Sequence, residues 1–326
     1  RNFYSAGIHT NHGLYATLYS FPAMMKRNLM KGSVIPHYSG LPTVLKENGY
    51  YNLFFMTHEG QYDNMNAFFR TNGYDEVFSQ ENYPADKVVN SFGVQDDFLY
   101  DYAIPVLNQR AATGEPFFAT LLSISNHPPY VIPPFFHPKT SEPETQIVEY
   151  ADWALRKFFE EARKQPWFDN TIFVLEGDHG KLVGDAECEL PESYNHIPLM
   201  IYSSRIHPEE KNTFGGQVDI QPTILGLLNI DYLQNNFGVD LLKEERPCMF
   251  YTADNMIVGR NDTLLYLYNY ETQQEFTYHI DNGKLKAVPM DDRFLPLKEY
   301  SFSMLQSAEF LVKHGKTVNT VPFTQQ

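Results

Sequence analysis

Short, largely apolar runs alternate through residues 1–240 with longer stretches in which apolar residues recur at helical spacing. The runs predict buried strands over Tyr51–Met56, Pro116–Ser125, Asn170–Leu175 and Ile197–Ser203. The stretches predict helices over Gly40–Tyr50, Phe92–Gln109, Gln146–Lys164 and Val218–Leu228. Because strands that are apolar throughout are buried on both faces, the alternation predicts a doubly wound α/β fold with a mostly parallel sheet.

The pattern changes after Gly238. Residues Met249–Ile280 contain short strand-like runs separated by turn signals, which predicts an antiparallel sheet, and Ser301–His314 has the spacing of a closing helix. We therefore expect an α/β domain over residues 1–240 and a small antiparallel α+β subdomain over residues 241–326.

The charge balance limits the classes of ligand that the protein is expected to bind. The chain has 326 residues, with 25 Lys plus Arg against 40 Asp plus Glu and a formal net charge of −15. A surface this acidic repels nucleic-acid phosphates and anionic lipid headgroups, which argues against nucleic-acid binding. An anionic substrate would need a local cation, and a bound metal ion is the usual source of one in an acidic protein.

Compartment and membrane signals are sparse. No run of 18 or more apolar residues occurs, and two cysteines, Cys188 and Cys248, are too few for a disulfide framework. The chain begins at Arg1 with neither a start methionine nor a signal peptide, so we expect it to be a portion of a longer protein whose membrane anchor precedes it.

A candidate metal site follows the third predicted strand, in the sequence LEGDHG over residues 175–180. Asp178 can ligate a divalent ion through a hard carboxylate, and His179 can ligate the same ion through an imidazole. The flanking glycines would leave room for a substrate. The alternative interpretation is an ordinary strand-end turn with a solvated Asp and His.

A candidate nucleophile lies in the sequence GIHTNHG over residues 7–13, just before a helix-like stretch. The hydroxyl of Thr10 would face unpaired N–H groups at a helix N-terminus, an arrangement that suits an oxygen attacking a phosphoryl group. Threonine is a weak nucleophile, so it would need metal coordination. The alternative is that Thr10 is a simple N-cap, and His9 and His12 have no spacing that a metal requires.

Polar residues also follow the other predicted strands. Parallel sheets place their sites beyond the carboxyl ends of the strands, which is where His58 and His127 lie. His196 begins the strand predicted to neighbour the one that ends at Asp178. We expect His196 either to line the site or to be a structural strand-end histidine.

Five segments in this order resemble the lipoteichoic acid synthase and phosphoglycerol transferase family of the alkaline phosphatase and sulfatase superfamily. The segments are GIHTNHG, SNHPPY, EYADWALRKFF, EGDHG and VDIQPTILGLL. The resemblance covers residues 1–231 and implies a sulfatase-like catalytic domain over residues 1–240. It further implies a membrane-anchored parent protein on the extracytoplasmic face of a bacterial cell membrane.

The resemblance also implies site residues. Thr10 matches the nucleophile and, with Asp178 and His179, a ligand of one divalent ion, Mn²⁺ with Mg²⁺ or Zn²⁺ as alternatives. His127 matches the substrate-side histidine, and His58 a position near the glycerophosphate pocket. In this family an upstream Glu or Asp completes the metal site, which here would precede Arg1. A Trp-Asn-Arg trio of the Gram-positive synthases is replaced by Tyr62-Asp63-Asn64-Met65, which places Tyr62 in the pocket and removes a bidentate guanidinium.

The implied reaction moves a phosphoglycerol or similar group from a phospholipid or phosphodiester donor to an envelope glycan or other alcohol through phospho-Thr10. Two alternatives stay open: a phosphodiesterase, phosphatase or sulfatase-like hydrolase, and a non-catalytic envelope-glycan binding domain. Sulfate-ester hydrolysis by the usual mechanism needs a Cys or Ser in a C/S-x-P-x-R signature. Neither Cys188 nor Cys248 has that context.

Overall fold

The structure is a computed structural model that describes residues 2–32 and 34–319. The chain forms two compact units: the first comprises residues 1–41, 173–202 and 206–326, and the second residues 42–172 and 203–205. The boundary between residues 240 and 241, expected from the sequence, stays a prediction.

The helices and strands of the described residues are numbered in chain order. The helices are α1 (Thr10–Tyr19), α2 (Leu41–Glu47), α3 (Met65–Thr71), α4 (Asp96–Ala111), α5 (Pro143–Ala162), α6 (Ile220–Leu227) and α7 (Leu295–Lys313). The strands are β1 (Phe3–Tyr4), β2 (Tyr51–Met56), β3 (Glu76–Phe78), β4 (Val88–Asn90), β5 (Gly93–Val94), β6 (Phe117–Leu122), β7 (Phe173–Glu176), β8 (Leu199–Tyr202), β9 (Gly215–Gly216), β10 (Met249–Thr252), β11 (Met256–Arg260), β12 (Leu264–Asn269), β13 (Gln274–Asp281) and β14 (Lys284–Ala287).

The second unit is built on a parallel sheet with the strand order β3-β2-β6. All residues of the central strand β2 after Tyr51 are buried, as expected for a strand covered on both faces. On one face, the rings of Phe54 and Phe69 stack with their centroids 4.1 Å apart. The first two apolar runs thus form parallel neighbours, as expected for the predicted mostly parallel sheet.

Helix α5 shows how the apolar pattern selects a buried face. Its buried residues lie three or four positions apart, at Ile147, Tyr150, Ala154, Phe158 and Ala162. This spacing places them on one stripe of the helix. The helix begins with Pro143, because the fixed φ of proline suits the first turn.

In the first unit, strands β10 to β14 form one five-stranded antiparallel sheet in sequence order. Helix α7 packs on β11 and begins at Leu295, six residues before the predicted start at Ser301. Pro296 lies in its first turn, where a missing N–H costs nothing, so the proline is a start signal and not a break.

Three further elements of the first unit position the candidate site. Strand β7 pairs antiparallel with β8, so the strand predicted to neighbour the Asp178 strand does so. Strand β1 pairs parallel with β9 and leads into α1. The predicted fold class, a doubly wound α/β fold with a mostly parallel sheet and a small antiparallel C-terminal subdomain, is confirmed, although β7 and β8 pair antiparallel.

Among the residues that the structure describes, none of the helices combines the length and the apolarity that a membrane span requires.

Candidate active site

The candidate nucleophile stands at the first residue of α1. The N-cap is His9, with extended backbone angles and no capping hydrogen bond from its side chain. The interpretation of Thr10 as an N-cap is therefore wrong. Instead, Thr10 Oγ1 donates a hydrogen bond of 2.7 Å to Oδ2 of Asp178. The hydroxyl thus lies at the positive end of the helix and is oriented by a carboxylate.

The candidate metal ligands, Asp178 and His179, lie in the turn that follows strand β7, and Asp178 contacts Thr10. Oδ1 of Asp178 accepts a hydrogen bond from the backbone N–H of His179 at 2.9 Å, while Oδ2 faces Thr10. Nδ1 of His179 lies 2.8 Å from the carbonyl oxygen of Gly180. A carbonyl oxygen can only accept, so Nδ1 carries a proton, and in the neutral imidazole Nε2 then presents its lone pair. That atom lies 3.5 Å from Oδ2 of Asp178.

These three donors fit a divalent cation. The Thr10 hydroxyl and Nε2 of His179 lie 2.7 Å and 3.5 Å from the same carboxylate oxygen, Oδ2 of Asp178. The Gly180 carbonyl accepts from Nδ1 of His179, as carbonyls commonly do behind metal-bound histidines. Within residues 2–32 and 34–319, no group of three or more His, Cys, Asp or Glu side chains could by itself hold a metal. Both the role of Thr10 as a third ligand and the expected upstream carboxylate stay predictions.

The glycines of the turn differ in what they do. A Cβ on Gly180 would lie 2.0 Å from the carbonyl oxygen of Ser193, which side chains do not tolerate. A Cβ on Gly177 would meet its nearest neighbour, in Ile197, at an ordinary 3.4 Å. Gly180 is thus required by chain packing, and the idea that both glycines exist to admit substrate is too simple.

A second polar pair, which the sequence interpretation missed, joins the same two elements. Thr17 Oγ1 donates a hydrogen bond to Oε1 of Glu176, the last residue of β7. Burial raises the pKa of Glu176 to about 8, and Oε2 has no hydrogen-bond partner. A signal for Thr17 did exist, because a residue seven positions after Thr10 lies two turns further along the same helix face.

His9 and His12 flank Thr10, but their environments differ. His9 Nε2 lies 2.6 Å from Oδ1 of Asp254, a residue of the predicted C-terminal subdomain that no sequence signal linked to this site. His12 is buried, and that burial lowers its pKa to about 4, so the imidazole is neutral at pH 7. The two rings contact edge to face at 5.0 Å.

His196 is packed against Tyr4 of β1, with ring centroids 5.1 Å apart and nearly parallel planes. The backbones of these two residues also form an isolated antiparallel bridge. The structure therefore gives His196 a packing partner, and its role in lining the site stays a prediction.

The other predicted residues lie in the second unit, where an aromatic chain connects them. The ring of Tyr62 lies 4.7 Å from that of His58 and 6.2 Å from that of Phe92, which in turn lies 4.1 Å from that of His127. Because β2 and β6 are parallel neighbours, the loops after them begin at the same sheet edge. The rings of His58, Tyr62 and His127 are thus connected through Phe92, a residue that the sequence analysis does not single out. Their role in substrate binding stays a prediction.

The two histidines in this series of aromatic rings, His58 and His127, have different environments. His58 is 1% exposed, and burial lowers its pKa below the ordinary value of 6.5, which favours the neutral imidazole at neutral pH. His127 is partly exposed, and its Nδ1 lies 2.6 Å from the carbonyl oxygen of Pro128. Its loop is anchored upstream, since Oδ1 of Asp96 accepts from the N–H groups of Ile124 and Ser125, both at 2.9 Å.

Comparison with known families settles the kinship of the chain. The family model for sulfatases matches residues 1–230. The chain belongs to the sulfatase family. Within that family, it is 26% identical over 274 residues to lipoteichoic acid synthase 1 of Bacillus subtilis, a match covering 77% of this chain and 41% of that relative. It is 24% identical over 242 residues to lipoteichoic acid synthase of Staphylococcus aureus, covering 64% and 35%. The chain thus spans less than half the length of these relatives.

Solved structures of sulfatase relatives share the fold. A protein of the alkaline phosphatase superfamily from Vibrio parahaemolyticus superposes with a TM-score of 0.87 at 26% identity, over 98% of this chain and 79% of that one. The lipoteichoic acid synthase LtaP from Listeria monocytogenes superposes with a TM-score of 0.82 at 21% identity, over 96% and 83%. The resemblance predicted from five segments is confirmed. At the level of the family, the prediction of an enzyme that acts on sulfate or phosphate esters is confirmed as well.

Proposed function

We propose that this chain carries out metal-dependent transfer of a phospho-group through a covalent phospho-Thr10 intermediate. The donor is a phospholipid or other phosphodiester, the group is phosphoglycerol or similar, and the acceptor is an envelope glycan or another alcohol. The supporting observation is the hydrogen bond of 2.7 Å between Thr10 Oγ1, at the start of α1, and Asp178 Oδ2. The named relatives, lipoteichoic acid synthases, support this class of donor and acceptor.

The chain's own residues divide the work as follows. Thr10 Oγ1 attacks phosphorus, and its proton already points at Oδ2 of Asp178. The bond from phosphorus to the leaving oxygen breaks as the new ester forms. By the resemblance, His127 donates a proton to this leaving oxygen. The acceptor hydroxyl then attacks the same phosphorus as its proton passes to His127, and the oxygen of Thr10 leaves and takes back its proton from Asp178. The positive end of α1 stabilises the charge that develops on the phosphoryl oxygens.

The metal-binding residues in this proposal are Thr10, Asp178 and His179. Their hydroxyl, carboxylate and imidazole donors suit Mn²⁺, with Mg²⁺ or Zn²⁺ as alternatives. When bound, the ion lowers the pKa of a coordinated hydroxyl and neutralises phosphoryl charge. His179 can serve only with Nδ1 protonated, which the Gly180 carbonyl enforces.

The remaining assignments rest on the resemblance, except that of His196, which rests on the strand order predicted from the sequence. His58, Tyr62 and His196 are proposed to contact substrate, in a catalytic domain over residues 1–240 followed by the subdomain over 241–326. The parent protein is proposed to be held at the extracytoplasmic face of a bacterial membrane by a segment outside this chain. Nucleic acid has no part in the proposed function.

The proposal is tested by the intact mass of a form of the protein that includes the segment expected before Arg1, measured after incubation with Mn²⁺ and phospholipid donors. We expect an adduct that maps to Thr10, is absent in Thr10→Ala and identifies the transferred group by its mass. Thr17→Val is the matched control, since it removes a hydroxyl from the same helix. Release of the adduct by water alone would favour the hydrolase alternative. No adduct and no Mn²⁺-dependent phosphodiester cleavage would favour a glycan-binding domain.

A further inference from the structure

Gln217 joins the segment that precedes the nucleophile to the turn that carries the metal ligands. The side chain is 1% exposed and makes three hydrogen bonds to main-chain atoms. Its Oε1 accepts from the N–H of Ala6 at 2.8 Å, and its Nε2 donates to the carbonyls of Gly177 at 3.1 Å and Asp178 at 2.8 Å. One amide group thus connects backbone positions that are about 170 residues apart in the sequence.

The chemistry of these contacts requires a carboxamide. One side of the group must accept from an N–H and the other must donate to two carbonyl oxygens, which no carboxylate, hydroxyl or apolar side chain does. Removal of the amide would take away the hydrogen-bond partner of the buried Ala6 N–H and of two partly buried carbonyl groups, and such a loss is costly. The glutamine is therefore not replaceable by another residue of similar size.

Helix α1 lies directly against this amide. A Cβ on Gly13 would lie 2.6 Å from the carbonyl oxygen of Asp178 and 2.9 Å from Nε2 of Gln217. Glycine at this position allows the helix to approach the turn at the depth where Thr10 Oγ1 reaches Asp178 Oδ2. The distance between helix α1 and the turn that carries Asp178 is thus set by two features, the absent side chain of Gly13 and the amide of Gln217.

A second buried amide holds the same segment without touching the turn. Nδ2 of Asn195 donates to Oγ of Ser5 at 3.1 Å and to the carbonyl of Gly7 at 3.2 Å. Asn195 therefore fixes the path of the segment, while Gln217 connects that segment to Asp178. Because the amide of Gln217 contacts the turn and that of Asn195 does not, the effect of a Gln217 substitution on the turn can be distinguished from a general loss of order near residue 6.

We propose that Gln217 is a positioning residue that sets the distance between Thr10 and the pair Asp178 and His179. The inference rests on the proposed function and deepens it. In this inference, the amide of Gln217 binds neither substrate nor metal. It acts through the backbone, so it affects metal affinity and the catalytic step but leaves the affinity for the donor unchanged.

Gln217→Met tests the proposal, because it removes the amide and keeps the side-chain length. Gln221→Met is the matched control: Gln221 is 0% exposed, lies four residues further on, and accepts instead from Asn236 Nδ2 at 3.0 Å. Relative to that control, we expect at least a tenfold higher Kd for Mn²⁺ and at least a tenfold lower kcat with unchanged donor KM. We also expect faster hydrogen–deuterium exchange in peptides covering residues 5–10 and 177–180 of the metal-free protein.

The exchange experiment separates this inference from the proposed function, since it needs no metal. If the wild-type protein does not bind Mn²⁺, the proposed function fails, and the exchange rates still decide whether the amide holds the two segments. Gln217→Glu adds a segment-specific readout, because it keeps an acceptor for Ala6 but loses both donors to the turn. Equal exchange and equal Mn²⁺ affinity in Gln217→Met and Gln221→Met would overturn the proposal. So would an unprotected Ala6 amide in the wild-type protein, a measurement that needs no variant.

Discussion

Thr10 Oγ1 and Asp178 Oδ2 lie 2.7 Å apart although 168 residues separate them in the sequence. Two structural features produce this contact: the helix begins one residue after His9, and β7 ends two residues before Asp178. A hydroxyl at a helix N-terminus usually caps its own helix. Here it donates to a carboxylate on another element, so the side chain is available for chemistry and not used for capping.

Removal of the Thr10 hydroxyl is expected to abolish turnover without unfolding the protein. We expect Thr10→Ala to lower the rate of phospho-transfer by at least about 1,000-fold, the scale on which loss of a covalent nucleophile acts. Loss of one hydrogen bond should lower the free energy of unfolding by about 0.5–1.5 kcal/mol. Thr10→Ser keeps the hydroxyl and should retain part of the activity. A Thr10→Ala protein as active as Thr10→Ser would exclude a covalent phospho-Thr10.

Metal binding should be visible as stabilisation. A ligand present at about 100 times its Kd stabilises the folded state by about 2.7 kcal/mol, so Mn²⁺ should raise the Tm and a chelator should reverse the rise. Asp178→Asn removes the anionic ligand while keeping an oxygen near Thr10, and it should abolish the shift. Thr17→Val, which leaves the three donors intact, should show the shift of the wild-type protein. Equal Tm shifts in wild type and Asp178→Asn would place the metal elsewhere.

Much of the fold could be predicted from the sequence because its strands carry strong apolar patterns. The run Tyr51–Met56 is a strand with the predicted bounds, and the helix predicted over Val218–Leu228 forms over Ile220–Leu227 with its proline in the first turn. The start of α7 was misplaced because Pro296 was not used as a start signal. Helix ends depend on one or two local contacts, so they are harder to predict than helix cores.

The site was predictable where a motif or the family resemblance identifies the residues, and not where a long-range contact involves a residue outside any motif. Asp178 and His179 are adjacent on a glycine-flanked turn, so their convergence follows from the sequence alone. The contacts of Asp254 with His9 and of Gln217 with Ala6 join segments more than 200 residues apart, and neither residue stands in a recognisable pattern. Such contacts depend on strand order, which periodicity does not specify.

The two glycines of the metal-ligand turn should respond differently to the same substitution. Gly180→Ala places a methyl group 2.0 Å from the Ser193 carbonyl oxygen and should lower the free energy of unfolding by about 1–3 kcal/mol. Gly177→Ala is the control in the same turn, where the nearest atom lies at 3.4 Å, and should change stability by less than about 0.5 kcal/mol. Denaturant unfolding of both variants measures the difference. Equal stabilities would mean that the turn near residue 180 relaxes freely.

The buried His58 should make the protein less stable in acid. Burial lowers its pKa in the folded state, while the unfolded chain takes up the proton near the ordinary value of 6.5. As the pH falls below 6.5, the unfolded state therefore binds more protons than the folded state, and the free energy of unfolding decreases. The contribution is lost with a slope of up to about 1.4 kcal/mol per pH unit until the pH passes the folded-state pKa.

Two variants isolate this contribution to the pH profile. His58→Gln keeps a polar group near the Glu59 carbonyl, which lies 3.1 Å from Nδ1, but cannot take up a proton. Its stability should therefore fall less steeply than that of the wild-type protein between pH 6.5 and pH 5. Tyr62→Phe keeps the ring that lies 4.7 Å from His58 and should retain the wild-type slope. Chemical unfolding at a series of pH values measures all three, and parallel profiles for His58→Gln and wild type would show that His58 accepts its proton equally well in both states.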